Sequence, residues 1–363
     1  MFIAIIGTPS AGKRTLLEYL VSKHGFTRIG LDAPSDQMDA ARLTTDQLDV
    51  PPINSLSLSD PSLPSTPMTE TPSTSPTSFA SPALMLDHVT QNWLTHTVTT
   101  DLRTFKEIEP FLKRPFFLLV AVDGPLRTRY ERERERSKAS GKILTIDEFV
   151  ENHDILLNGH PLPTDLPPAT FSHHPQADFS RVMRLANVSV CNNLPTVEAL
   201  YAYLDQLNLL DEERLRPGWD TYFMTLASLA SHRSNCMKRR VGALLVRSKR
   251  ILSTGYNGTP RGIRNCNQGG CRRCNGQARG GEALDECLCL HAEENALLEA
   301  GRERIGDDSV IYCNTCPCLR CSVKIVQTGV REVVYNQSYS MDAASAMVLK
   351  EGGVILRQLH MPE

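Results

Sequence analysis

Two α/β units in one chain are predicted by three observations. The length of 363 residues exceeds what a single core usually organises. The apolar run Phe2-Ile3-Ala4-Ile5-Ile6 leads directly into Gly7-Thr8-Pro9-Ser10-Ala11-Gly12-Lys13, and Leu16, Leu17 and Leu20 continue with helical spacing: strand, glycine loop, helix. Far downstream, the apolar stretches Val241–Val246 and Ile251–Thr254 read as strands, and a helical pattern begins at His291. The boundary is expected between residues 209 and 210, giving units 1–209 and 210–363.

In the first unit, the backbone N–H groups of a loop such as Gly7 to Gly12 cradle phosphates, and Lys13 would reach the outermost one. The residue after that lysine normally gives a hydroxyl to magnesium, and here it is Arg14. Thr15 stands one position later, turned by about 100° on a helix, and cannot simply take over. A second strand, Pro115–Asp123, is followed by Pro125 and the arginine-rich stretch Arg127–Arg136. That stretch reads either as a phosphate-facing lid or as a solvated helix with i,i+4 pairs. A further strand near Val188–Asn193 and a closing helix from Pro195 complete the order. It resembles the small P-loop kinases of the dephospho-coenzyme A and nucleoside-monophosphate kinase kind. The resemblance implies a P-loop kinase-like parallel sheet, degenerate at Arg14, in which Gly7, Gly12 and Lys13 hold a phosphate without efficient kinase turnover. An insert at about 50–83, rich in Ser, Thr and Pro, has too little contiguous apolar surface to offset its ordering entropy and is expected to be disordered.

The second unit carries the chemistry. His291-Ala292-Glu293 and Pro317-Cys318-Leu319-Arg320-Cys321 supply an imidazole and two thiolates for a tetrahedral zinc with one open position, plus a carboxylate that is not a ligand. A zinc of this kind activates water for attack, and Glu293 would carry the proton from that water to a ring nitrogen and on to departing ammonia. A closed structural zinc knuckle is the alternative. It has no use for a glutamate two residues after its histidine or for Pro317 before its cysteine pair.

These motifs, with Gly255-Tyr256-Asn257-Gly258, Tyr312-Cys313-Asn314-Thr315-Cys316 and Val333-Val334-Tyr335-Asn336-Gln337-Ser338-Tyr339, resemble the deoxycytidylate (dCMP) deaminases, particularly the fungal type. The resemblance covers Trp219 to the C-terminus. It implies a cytidine-deaminase-like three-layer α/β/α fold and hydrolysis of dCMP to dUMP and ammonia, supplying dUMP for dTMP synthesis. It also implies a homo-oligomer activated by dCTP and inhibited by dTTP, with magnesium accompanying the nucleotide effectors. His291, Cys318 and Cys321 correspond to the catalytic zinc ligands and Glu293 to the proton carrier. Asn257 corresponds to the residue that hydrogen-bonds the deoxyribose and Tyr339 to an aromatic near the nucleotide, while backbone groups near Ala292 orient the exocyclic amine. Some family members carry a noncatalytic zinc as well. Cys236, Cys271, Cys274 and Cys289 are the candidate ligands here, with Cys266 and Cys287 as alternates. Inert reduced thiols in a long loop are the other reading.

Composition excludes competing classes. A net charge of -2 and the lack of a basic, aromatic-interleaved surface argue against a nucleic-acid strand as partner and for a small substrate. The first residues form no signal peptide or membrane span, and the eleven cysteines, most of them between Cys266 and Cys321, suit metal ligation in a reducing compartment, cytoplasmic or also nuclear.

Overall fold

The computed structural model describes residues 1–32, 77–139, 141, 143–159, 177–279, 282–338 and 343–361. The chain divides into two compact units, Met1–Leu215 and Arg216–Glu363. No helix among the described residues is long and apolar enough to cross a membrane.

The first unit runs β1 (Phe2–Gly7), α1 (Lys13–His24), β2 (Thr27–Leu31), β3 (Thr77–Phe79), α2 (Pro82–Gln91), β4 (Thr97–Thr99), α3 (Phe105–Leu112), β5 (Phe117–Asp123), α4 (Leu126–Ala139), α5 (Ile146–Asn158), α6 (Ala177–Arg184), β6 (Val188–Cys191) and α7 (Val197–Leu207). Its six strands form one sheet in the order β3-β2-β4-β1-β5-β6, every pairing parallel. A parallel sheet covered on both faces needs continuously apolar strands, and side chains along a strand alternate between faces. Ile3 and Ile5 of β1, with Leu118, Val120 and Val122 of β5, enter one core with Leu16 and Leu20 of α1. Phe2, Ala4 and Ile6, with Phe117, Leu119 and Ala121, enter the opposite core with Ile108 and Phe111 of α3.

Two expectations for this unit are corrected. The last residues of the insert read as disordered fold instead: β3 pairs with β2 through Ile29 and Thr77, Gly30 and Ser78, and Leu31 and Phe79, and the Ser81 hydroxyl accepts from Leu84 N–H to cap α2. A sheet edge supplies backbone partners that composition does not foresee. Most of the insert lies outside the described residues. Within α4, the reading as a solvated helix holds for Arg127, paired with Glu131 at 3.1 Å, and for Arg136, paired with Glu133 at 3.1 Å. It fails for Arg129, which is buried and donates to Gly124 O at 2.8 Å beside Asp123.

The second unit runs α8 (Trp219–Ser231), β7 (Gly242–Arg247), β8 (Arg250–Tyr256), α9 (Arg272–Asn275), α10 (Ala292–Ala300), α11 (Arg302–Ile305), β9 (Ser309–Thr315), α12 (Leu319–Thr328), β10 (Glu332–Gln337), α13 (Ala343–Glu351) and β11 (Ile355–Gln358). Its five-stranded sheet has the order β11-β10-β9-β7-β8, with β7 antiparallel to β8 and β9, and β9, β10 and β11 mutually parallel. Alternation again assigns the layers. Leu244 and Val246 pack on Phe223, Met224 and Ala227 of α8. Ala243 and Leu245 face Ala292 and Ala296 of α10 and Cys321 and Ile325 of α12. The sheet is thus sandwiched between helices, as the three-layer expectation requires.

Candidate active site

α10 and α12 both start at the same end of the sheet and carry the motif residues in their first turns. His291 is the N-cap of α10 and Cys318 the N-cap of α12. His291 Nδ1 lies 3.3 Å from Cys318 Sγ and 3.4 Å from Cys321 Sγ, and the three ligand atoms lie within 4.8 Å of one another. A tetrahedral zinc with Zn–S near 2.3 Å and Zn–N near 2.05 Å holds sulfur and nitrogen about 3.6 Å apart, so these contacts have the length of ligand–ligand edges. Two thiolates and an imidazole are also the donor set zinc prefers, and the three residues present fit that ion.

Several contacts fix this geometry. Asn295 Nδ2 donates to Tyr256 O at 2.9 Å and Ser253 Oγ to Ala296 O at 2.7 Å, so α10 is tied to β8. Lys324 of α12 donates to Glu294 of α10, holding the two helices together beside their ligands. Sequence reading missed this pair, although a glutamate directly after Glu293 and a lysine one turn beyond Cys321 were available as a signal. A backbone bridge from Gly258 to Leu290, with Leu290 N–H donating to Gly258 O at 2.8 Å, sets the Asn257 turn beside His291.

Electrostatics sort the groups. The hydrogen bond from Cys321, opposed by burial and assisted by His291, holds Cys318 down to about 3, while Cys321 is pushed well above the usual thiol range. His291 is raised, chiefly by its contact with Cys318, with burial opposing. Glu293 is 3% exposed, and burial lifts its carboxyl above the ordinary carboxylate range against the pull of His291. A buried carboxyl with a raised proton affinity is suited to take up and hand on a proton.

The remaining sequence-predicted residues fall in different places. Ala292 is fully buried at the start of α10. Asn257 is 7% exposed, and its amide is committed to the backbone: Oδ1 accepts from Val241 N–H at 2.8 Å and Nδ2 donates to Arg239 O at 2.8 Å. One amide proton and one lone pair are left for a ligand. Tyr339 lies outside the described residues.

The loop cysteines gather, with one correction. Cys236, Cys271, Cys274 and Cys289 do not make a single four-thiol group; Cys236 and Cys271 fall in different groups, one completed by Cys266 and the other by Cys287. Ligand spacing in sequence does not show which sulfurs a fold places side by side.

Gly7, Gly12 and Lys13 lie together in the first unit. Gly12 takes φ of +107°, and a Cβ there would lie 2.5 Å from Asn192 Nδ2, so the position requires glycine. Lys13 Nζ donates to Gly7 O at 2.7 Å and Thr8 O at 2.9 Å. A cavity of about 900 Å³ opens beside it, lined by Lys13, Arg14, Arg28 and Arg103 together with Glu18 and Asp178.

Comparison with known proteins agrees with the second unit's geometry. The family model for the cytidine and deoxycytidylate deaminase zinc-binding region matches residues 217–337. The deoxycytidylate deaminase of Schizosaccharomyces pombe is 40% identical over 99% of this chain and 98% of its own. That of Saccharomyces cerevisiae is 45% identical over 78% of this chain and 87% of its own. The deoxycytidylate deaminase of Mycobacterium phage D29 is 39% identical over 95% of its own length, which corresponds to only 33% of this chain. An identity of 40% held from one end of this chain to the other reaches far beyond a shared zinc-binding segment, and the chain belongs to the deoxycytidylate deaminase family.

Proposed function

We propose that this protein hydrolyses dCMP to dUMP and ammonia at the His291, Cys318, Cys321 and Glu293 site. The observation that carries the reading is the burial of Glu293 two residues from His291, with both thiols of the Pro-Cys-x-x-Cys segment converging on the His291 ring. Zinc bound by His291, Cys318 and Cys321 supplies Lewis acidity and acidifies water. Glu293 takes the proton of the attacking water as oxygen adds to cytosine C4, and delivers it to N3. It then takes the remaining proton from the new C4 hydroxyl and passes it to the exocyclic amine, so that the C4–O bond becomes a carbonyl as the C4–N4 bond breaks and ammonia leaves. The dipoles of α10 and α12 present their positive ends to the site, which favours the thiolate at Cys318. Asn257 offers its remaining amide proton and lone pair to the sugar. Steady-state rates on dCMP, deoxycytidine and dCTP test the substrate: dCMP should be turned over with the highest kcat/KM. The same assay with added dCTP and dTTP tests the regulation we assign, activation by the first and inhibition by the second.

We further infer that the first unit binds an anion and transfers no phosphoryl group. Lys13, Arg28 and Arg103 line the cavity, which suits a polyphosphate, while Arg14 stands where a magnesium-binding hydroxyl is needed and points outward in a pair with Glu18 at 3.1 Å. Magnesium-dependent phosphorylation of an acceptor by the full chain, abolished by Lys13→Ala, would overturn this.

A further inference from the structure

The loop between β8 and α10, together with the segment before β7, brings six cysteines into one knot. Two four-thiol groups can be drawn in it: Cys236, Cys266, Cys274 and Cys289, and Cys271, Cys274, Cys287 and Cys289. Cys274 and Cys289 belong to both. We propose that this knot is a binuclear zinc–thiolate site, two tetrahedra sharing the Cys274–Cys289 edge, distinct from the active-site ion.

Distances favour tetrahedral metal over free thiols. Four sulfurs at about 2.3 Å from one zinc stand about 3.8 Å from each other. Here Cys236 and Cys274 are 3.8 Å apart, Cys274 and Cys289 3.9 Å, Cys271 and Cys287 3.9 Å, and Cys274 and Cys287 3.6 Å. Each group contains separations of that length, and the edge common to both is among them. One ion takes four sulfurs, so a single zinc leaves two of the six unused. Two ions use all six only if two thiolates bridge.

The charge around the knot gives an independent sign. Arg273 is 9% exposed and has no carboxylate partner among the described residues. Its guanidinium donates to Glu282 O at 2.8 Å and Arg279 O at 3.2 Å, and it points Nη1 at Cys274 Sγ, 4.0 Å away. A buried cation without a counter-ion is costly, and six neutral thiols do not provide one. Six thiolates around two divalent zinc ions carry a net charge of about -2, and Arg273 sits against a bridging sulfur where that charge would be compensated. Sulfur-directed donors point the same way: Met237 N–H donates to Cys266 Sγ at 3.5 Å, and Asn275 Nδ2 donates to the same sulfur at 3.7 Å. As zinc binds, the thiol protons pass to solvent and both ions stay divalent, so no redox partner is required.

The test is metal analysis and zinc K-edge absorption on the full chain purified with zinc. Three zinc ions per chain are expected, one at His291, Cys318 and Cys321 and two in the knot, with a short zinc–zinc vector in the absorption spectrum. Cys274→Ser, which removes a shared ligand, should abolish that vector and lower the zinc content, whereas Cys191→Ser, an exposed cysteine of the first unit, should change neither. Two ions per chain without a zinc–zinc vector would mean a mononuclear knot and overturn the proposal, and so would a single ion. Should Cys274→Ser fail to fold, the wild-type stoichiometry and vector decide alone. Loss of the His291 ion in Cys318→Ala with the vector intact would separate this site from the catalytic one.

Discussion

Gly255 faces the carbonyl oxygen of Ala292 so closely that a Cβ at position 255 would lie 2.0 Å from it and 2.6 Å from Ala296 N. α10 therefore rests directly on the backbone of β8, and the absence of one methyl group sets the height of His291 and Glu293 above the sheet.

Gly255→Ala is accordingly expected to lift the start of α10. Overpacking of a filled core costs about 1–3 kcal/mol, and here the displaced atoms are backbone. The variant should unfold at lower temperature and lose deaminase activity by more than its loss of stability explains. Thermal unfolding measured alongside kcat/KM checks this, and an unchanged melting temperature would refute it.

Glu293→Gln keeps the shape of the side chain and leaves His291, Cys318 and Cys321 untouched. Zinc content should stay at the wild-type level while turnover on dCMP falls by at least about 100-fold. His291→Ala should lose active-site zinc together with activity. Normal turnover in the glutamine variant would remove Glu293 from the proton pathway.

Asn257→Ala strips partners from Val241 N–H and Arg239 O, each left without a hydrogen bond it now makes at 2.8 Å. Leaving a buried backbone group unpaired costs about 1–3 kcal/mol. Stability should therefore fall as well as KM rise. A rise in KM at unaltered stability would mean that the amide serves the sugar and is dispensable to the turn.

Burial first, then the charges of Arg103, Arg136 and Arg129, bring Lys13 down to about 8. Its ammonium is charged below that pH and neutral above it. Pyrophosphate affinity of the full chain should be greatest below this value and decline above it, levelling off at the higher lysine pKa that a bound anion imposes. A lysine at its ordinary value of about 10.4 would show no such decline about one unit above the shifted value. Calorimetric titration near neutrality and about one unit above the shifted value distinguishes the two, with Lys13→Ala as the reference.

The convergence of His291, Cys318 and Cys321 was legible because each motif is short and its spacing already fits a helix start: His291 with Glu293, and Cys318 with Cys321. The unbroken apolar runs of β1, β5 and β7 likewise announced sheets covered on both faces. What stayed hidden depended on partners distant in sequence. Asn257 finds Arg239 and Val241 across a turn, and Arg129 turns inward because Gly124 and Asp123 await it at the end of β5. β3 forms within a stretch of Ser, Thr and Pro because β2 offers it an edge. For the six loop cysteines, spacing marked a metal-binding text. Only the fold brings Cys274 and Cys289 between the others.

The crowding of those six sulfurs also sets how the protein ages. Thiols 3.6–3.9 Å apart need a displacement of under about 2 Å to reach the 2.05 Å of a disulfide bond. Any treatment that strips metal, such as prolonged exposure to a chelator in air, leaves Cys274 with several neighbours with which it can be oxidised, and each pairing locks the loop in a different shape. A preparation handled that way would decay into a mixture of cross-linked isomers that added zinc cannot restore, while reductant given before zinc would recover it.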